Sequence, residues 1–257
     1  MKPRTRSAAA ARISIVTAGV LAAGAVLTGC GSADADDAKP EHKAFALAGK
    51  ELTVESDNSA LELVPADVKD VQVTRWFSGW ALGGTAKVTW DLDGSVLKLK
   101  EHCSGLSVDC EARHKIEVPR GVKVTVKNHN GAVKARGFDT GLDIRSGNGA
   151  VRVEDSSGSL GLHSSNGTVT TAGVTSRQVK ADTDNGAVRL AFGRVPDRVE
   201  AGSDNGSITV DLPRATYKAE GRSNNGKVSV DVPRDDSSAH VVSAHSKNGE
   251  VKIRLAS

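Results

Sequence analysis

Between about Gly121 and Ser257, apolar and polar residues alternate in short runs, and each pair of runs meets at an Asn-Gly step. The steps are Asn130-Gly131, Asn148-Gly149, Asn166-Gly167, Asn185-Gly186, Asn205-Gly206, Asn225-Gly226 and Asn248-Gly249, spaced by 18, 18, 19, 20, 20 and 23 residues. Three and five residues after each Asn stand pairs such as Val133/Ala135, Val151/Val153, Val188/Leu190 and Val251/Ile253. Six and four before it stand Val124/Val126, Leu142/Ile144, Leu160/Leu162 and Val242/Ala244, with Lys134, Arg152, Arg189, Lys252, Arg145 and Asp182 among the residues between. This period of two predicts half-buried strands on both sides of a turn, and its return about every twenty residues predicts a repeat architecture. A further, degenerate copy lies far upstream at Leu52, Val54, Asn58, Leu61 and Leu63, with Ser59 where Gly stands elsewhere.

Two all-β folds fit the phrase. Asn-Gly between alternating strands is a strong signal for a two-residue hairpin, which gives a long antiparallel meander or a barrel. The same spacing fits a β-solenoid of about 18–20-residue coils, each a strand, a corner and a second strand. The solenoid is the expectation adopted, for two reasons. A meander exposes one continuous apolar face, and no amphipathic helix is present to cover it, whereas a solenoid closes that face on itself. The residue two before each Asn is small and polar: Ser56, Asn128, Ser146, Ser164, Thr183, Ser203, Ser223 and Ser246. Stacked at about 4.8 Å, these positions and the Asn behind them form ladders; in a meander their likeness gains nothing.

Residues 44–120 lose the phrase after its first copy. Strands are expected over Val71–Phe77, Ala86–Leu92, Val96–Lys100 and Lys115–Val118, with a tight turn at Asp93-Gly94. The first coil of a solenoid needs an atypical neighbour, so this region reads as an irregular N-terminal β cap. Residues 44–257 are then one β-repeat domain, with cap 44–120 and Asn-Gly repeats 121–257.

The first thirty residues change the compartment. Lys2, Arg4, Arg6 and Arg12 form a basic start, Ile13–Leu27 an apolar run, and Leu27-Thr28-Gly29-Cys30 follows. Residues 1–29 read as an export signal, and their ending resembles the lipobox of bacterial lipoproteins. That resemblance implies cleavage before Cys30, a diacylglyceryl group on its thiol and an acyl chain such as palmitate. The alternatives are an ordinary secretory signal or a membrane span with an incidental Cys. Residues 30–43 read as a lipid-anchored tether, able to reach about 45 Å when extended. The whole chain carries +3, and residues 1–29 hold four basic and no acidic side chains, which leaves −1 (3 − 4) for the remainder. With aromatics at 3%, this excludes a nucleic-acid footprint.

Candidate chemistry is sparse. Cys103 and Cys110 flank an expected loop, Ser104–Asp109, with His102 and His114 nearby; a disulfide pinning that loop is favoured over zinc because no CxxC pair is present. Trp76, Phe77 and Trp80 either fill the cap or contact a sugar or lipid headgroup, and exposure of Trp80 at a tip favours contact. Asp57, Asp184 and Asp204 read as solvated turn carboxylates rather than a calcium corner, since the Gly-Gly-x-Gly-x-Asp pattern is absent. The outward column Glu62, Lys134, Arg152, Thr170, Arg189, Thr209, Ser229 and Lys252 gathers no carboxylate pair for glycoside chemistry. Lys180 and Glu200 occupy equivalent positions and are expected to pair. Val118-Pro119-Arg120, Leu212-Pro213-Arg214 and Val232-Pro233-Arg234 mark strand ends. Val251–Leu255, interrupted by Lys252 and Arg254, reads as a charged last strand that discourages end-to-end association.

The lipobox, Val118-Pro119-Arg120-Gly121 and the succession of polar-Asn-Gly-x-Val-x-Val units together resemble the bacterial putative-adhesin family of β-strand-repeat proteins, over about residues 44–257. The resemblance implies a surface or envelope protein without known catalytic residues, some members being linked to envelope stress and antimicrobial peptides. The expected function is a lipid-anchored, extracytoplasmic, adhesin-like scaffold, non-catalytic and without cofactor or metal. Its partners are the membrane through Cys30 and an envelope glycan or protein. The alternatives are a carbohydrate-active enzyme on a β-helical scaffold and a sensor of antimicrobial peptides.

Overall fold

A computed structural model describes residues 38–256, apart from the side chains of residues 107–109. Cys30 and the expected signal lie outside the described residues. Within them are twenty-one strands and no helix. The irregular N-terminal part contains β1 (Glu41–Phe45), β2 (Glu51–Ser56), β3 (Ala60–Ala66), β4 (Val71–Leu82), β5 (Ala86–Asp93), β6 (Val96–Cys103) and β7 (Leu106–Pro119). Seven two-strand coils follow: β8/β9 (Lys123–Asn128, Val133–Arg136), β10/β11 (Leu142–Ser146, Val151–Glu154), β12/β13 (Leu160–Ser164, Val169–Val174), β14/β15 (Gln178–Thr183, Val188–Phe192), β16/β17 (Arg198–Asn205, Ile208–Leu212), β18/β19 (Lys218–Asn225, Val228–Asp231) and β20/β21 (Val241–Asn248, Val251–Leu255).

These strands build a β-solenoid with two sheets. The first runs β1-β4-β7-β3-β9-β11-β13-β15-β17-β21-β19 and the second β18-β20-β16-β14-β12-β10-β8-β2-β6-β5. Neither order returns to its start, so there is no barrel. The coils pair in parallel and in register, Leu142 beside Val124 and Leu160, Val151 beside Val133 and Val169. Parallel pairing between successive Asn-Gly units excludes the meander, in which they would join as antiparallel hairpins. Antiparallel pairing is confined to the cap, in β1–β4, β4–β7 and β5–β6.

The core follows from the alternation. Leu142, Ile144, Val151 and Val153 of one coil are buried, and their equivalents in neighbouring coils lie above and below them. Phe138, Val174 and Phe192 fill the opposite corner. Four such side chains cannot offset the backbone entropy of an eighteen-residue coil, so a coil is stable only between neighbours.

Both ends depart from chain order. At the N-terminal end β2/β3 stacks directly on β8/β9, and β6/β7 lies outside it. At the other end β20/β21 is inserted between β16/β17 and β18/β19. The expected charged last strand, β21, is therefore an interior strand, and the exposed edges belong to β18 and β19. The 23-residue step from Asn225 to Asn248 supplies the extra chain for the return. Tyr217 fixes the crossover: it is fully buried, its hydroxyl donates to the Pro213 carbonyl at 2.7 Å, and its N–H donates to Pro233 at 2.9 Å.

Three local expectations need correction. Glu41–Lys43, assigned to the tether, are drawn into the sheet by pairing of β1 with β4. The strands expected over Val71–Phe77 and Lys115–Val118 extend to Leu82 and back to Leu106, because each gives the other a partner beyond the solenoid body. Residues Ser104–Asp109, expected as a loop, are mostly strand, the turn being confined to Ser104 and Gly105.

Candidate functional site

The corners carry the most regular chemistry. In the spatial order Asn58, Asn130, Asn148, Asn166, Asn185, Asn205, Asn248 and Asn225, each Asn from Asn130 onward donates an Nδ2 hydrogen to the Oδ1 of the one before it, at 2.6–3.0 Å. One amide per coil accepts from one neighbour and donates to the other, and the polarity is kept through the last coils, where Asn225 donates to Asn248 and Asn248 to Asn205. Behind this surface ladder runs a buried one. The Ser164 hydroxyl donates to the Gly149 carbonyl at 2.9 Å and accepts from the Gly167 N–H at 2.9 Å; Thr183, Ser203, Ser246 and Ser223 repeat the donation.

The Gly of each pair serves stacking rather than a hairpin. Among the Asn-Gly steps only Gly131 has a positive φ, of 98°. At Gly149 an added Cβ would lie 1.8 Å from the Gly131 carbonyl oxygen, so a side chain would force the coils apart. Ser59 is tolerated because β6/β7, on its outer side, brings no Asn-Gly corner against it.

The outer face of the first sheet is charge-balanced. Lys134 and Arg152 are adjacent in its column, and Glu154 bridges them, 2.5 Å from Arg152 and 3.6 Å from Lys134. The Arg152 hydrogen bond, with help from Lys134, holds the Glu154 carboxyl below its ordinary range. On the second sheet Glu200 stands beside Lys180 in register, but its ion pair is with Arg198 on its own strand, at 2.7 Å. The Arg198 guanidinium brings both Nε, at 2.8 Å, and Nη2, at 2.7 Å, to one Glu200 oxygen, a fork that a lysine ammonium does not offer.

That second face carries a shallow polar depression. Gly161 and Gly202 occupy outward positions where other coils place side chains, and each leaves a notch beside an aspartate: Asp143 at Gly161 and Asp182 at Gly202. The notch at Gly161 is lined by Asp143, Arg145, His163, Lys180 and Asp182, with a volume of about 340 Å³. Burial raises the Asp182 carboxyl above its ordinary range, against the opposing influence of Lys180 and His163. Such a surface offers a fixed row of hydrogen-bond donors and acceptors. The pattern was visible in the sequence as Gly at outward strand positions, a signal the repeat phrase does not flag.

The cap holds the cysteines and aromatics. Cys103 and Cys110 form a disulfide with Cα atoms 6.6 Å apart, so Glu101, Cys103 and Cys110, which lie close enough to chelate, have no free thiolate to offer. His102 is exposed on β6, while His114 is fully buried on β7. Neither His114 ring nitrogen meets a protein partner, and burial with the nearby Arg75 charge lowers its pKa to about 4. The three aromatics are divided: Trp76 is half-buried under the Arg113 guanidinium at 5.0 Å, Phe77 half-buried, and Trp80 59% exposed near the β4 end. Trp90 belongs to the cap interior, stacked on Arg75 at 4.1 Å and edge-on to Phe45. Of the turn carboxylates, Asp204 takes Lys247 at 2.7 Å, and Asp57 and Asp184 are exposed at their corners.

A two-sheet repeat scaffold of this kind presents faces, edges and one protruding finger rather than an enclosed cleft. Residues 49–257 match the model of one family, and the chain belongs to it: the Toastrack DUF4097 family. No curated protein matches the chain. Among solved structures it is similar to a putative adhesin of Parabacteroides distasonis (12% identity, 84% of this chain and 98% of that one, TM-score 0.47). It is also similar to a putative adhesin of Bacteroides fragilis (13%, 84% and 97%, 0.45) and a putative cell adhesion protein of Clostridium sporogenes (12%, 84% and 99%, 0.36).

Proposed function

We propose that this chain is a lipid-anchored, extracytoplasmic binding scaffold of the bacterial cell envelope that holds a polar glycan or protein ligand and performs no chemistry. The observation that carries the reading is the notched outer face of the second sheet, where in-register strands fix Asp143, Arg145, His163, Lys180 and Asp182 around Gly161. A rigid polar surface binds by preorganised hydrogen bonding. The face is open to water along its length, and Glu200, which lines the same face beside Asp182, is engaged by Arg198. Capture of cationic peptides is disfavoured because Asp143 is matched by Arg145 at 3.3 Å in the same way. The anchor rests on the Leu27-Thr28-Gly29-Cys30 ending, and the extracytoplasmic site on that ending and the Cys103–Cys110 disulfide.

The test is retention of solubilised cell-wall glycans and of envelope proteins by the full chain and by a Gly161→Arg variant that fills the notch. Retention by the native chain and its loss in the variant is the expected result. Equal retention by both, or none by either, contradicts the reading.

A further inference from the structure

The cap ends in a finger that the solenoid does not need. β4 and β7 pair to their far ends, where Leu82 lies opposite Leu106, and β5 and β6 pair alongside. The two turns at the end press together: a Cβ on Gly84 would lie 1.9 Å from the Ser104 carbonyl oxygen, and the Ser104 N–H donates to Thr85 at 2.9 Å. The Cys103–Cys110 disulfide ties β6 to β7 just behind these turns. This is a fixed tip, and it is apolar. Trp80, Leu82 and Leu106 are 59%, 58% and 74% exposed, three of the four large hydrophobic residues most exposed among those described. Residues 76–86 and 103–108 contain no charged side chain, in a chain that is 25% charged. Behind the tip, Lys87 and His102 face each other across β5 and β6, both exposed.

The direction of the chain says what covers this tip. β1 runs antiparallel to β4, with Glu41 opposite and ion-paired to Arg75. The chain before Glu41 therefore leaves the sheet on the side toward which β4 continues to Leu82. Leu82 is seven residues beyond Arg75, about 23 Å at strand rise. Cys30 is eleven residues before Glu41, about 38 Å of fully extended chain. A lipid on Cys30 and the finger tip can thus meet the same plane.

We infer that the tip formed by Trp80, Leu82 and Leu106 is a second membrane contact, inserting into the lipid surface that holds the anchor. The inference rests on the anchored reading above. Trp suits the boundary between headgroups and acyl chains, and the two leucines suit the acyl side of it. Lys87 lies where anionic headgroups would be. Contact at both Cys30 and the tip would fix the orientation of the solenoid, which a tether alone would not do.

The test uses the full chain, lipidated in a bacterial host, purified from membranes and reconstituted into phosphatidylglycerol-containing vesicles with brominated acyl chains, which quench nearby Trp emission. Quenching in the native chain, its loss in Trp80→Phe, and a several-fold reduction in a Leu82→Ser/Leu106→Ser variant that keeps Trp80 support the inference. All three substitutions are at exposed positions, and circular dichroism checks the fold. A vesicle-bound chain whose Trp emission is unquenched overturns the tip contact and leaves the anchor standing; capture of a protein through the tip in place of lipid does the same. A native chain that behaves like Cys30→Ala and does not stay with vesicles overturns the anchored reading and this inference with it.

Discussion

Asn205 accepts a hydrogen bond at 2.9 Å from Asn248, 43 residues away, and none from Asn225, the next repeat in the chain. The C-terminal coil is thereby clamped between two others, as β2/β3 is clamped at the other end. A chain end placed inside the stack cannot fray without breaking two coil interfaces. Truncation before Val241 should therefore release β18/β19 as well as remove β20/β21. Hydrogen exchange is expected to show residues 218–231 unprotected in the truncated chain. Protection there equal to that in the full chain contradicts the clamped arrangement.

Asn166 sits in mid-ladder, donating to Asn148 at 2.7 Å and accepting from Asn185 at 3.0 Å. Its replacement by Ala removes both bonds at an exposed corner, with an expected cost of about 1–2 kcal/mol by denaturant unfolding. Asn166→Asp should cost more near neutral pH, because a carboxylate cannot donate to Asn148 and sets two acceptors face to face. Equal stability of all three proteins would show that the ladder is ornamental.

Gly149 has no room for a side chain, with the Gly131 carbonyl 1.8 Å from an added Cβ. Gly149→Ala should destabilise by roughly 3 kcal/mol or more, in the range reserved for steric disruption of a core. Gly94, with φ of 61° and nothing within 4 Å of its Cβ position, makes the control. Its change to Ala should cost about 1–2 kcal/mol from backbone conformation alone. Thermal melts of the two variants discriminate the causes.

The coil itself was legible because burial writes an alternation that survives in Val151/Val153 or Leu142/Ile144, and because the small residue two before each Asn has a use only in a stack. The coil order was not legible. Val228/Val230 and Val251/Ile253 offer neighbours the same surface, so the pattern cannot say which stacks first on Ile208/Val210; only the 23-residue step departs from the rest. The finger was hidden for a different reason. Its residues Trp76 to Ala86 lack apolar–polar alternation, since neither face of the tip packs on the core. The notches at Gly161 and Gly202 were missed because an outward Gly leaves the apolar pattern unchanged.

His114 is neutral and buried in the cap, beside Arg75 on β4 and Leu61 on β3. Its folded pKa, about 4, lies below the ordinary 6.5. Above pH 6.5 the ring is neutral in both states and the shift has no effect on stability. As pH falls below 6.5 the unfolded chain takes up a proton that the folded chain refuses, so stability declines until about pH 4, by about 3 kcal/mol in all. His114→Leu removes this term. The stability of the variant relative to the native protein should rise steadily between pH 6.5 and 4; a difference independent of pH contradicts the assignment.

The stacking order is tested most directly by paired cysteines on the outer face of the first sheet, in a Cys30→Ala background. Thr209 and Lys252 are register partners on β17 and β21, whereas Ser229 lies one strand farther, opposite Lys252 on β19. Neighbouring strands lie about 4.8 Å apart, within disulfide reach, and alternate strands about twice that, outside it. Mild oxidation of Thr209→Cys/Lys252→Cys should give an internal disulfide, seen by mass and by peptide mapping, and Thr209→Cys/Ser229→Cys should stay reduced. The reverse outcome would mean that the coils stack in chain order, contrary to the interleaved solenoid described above.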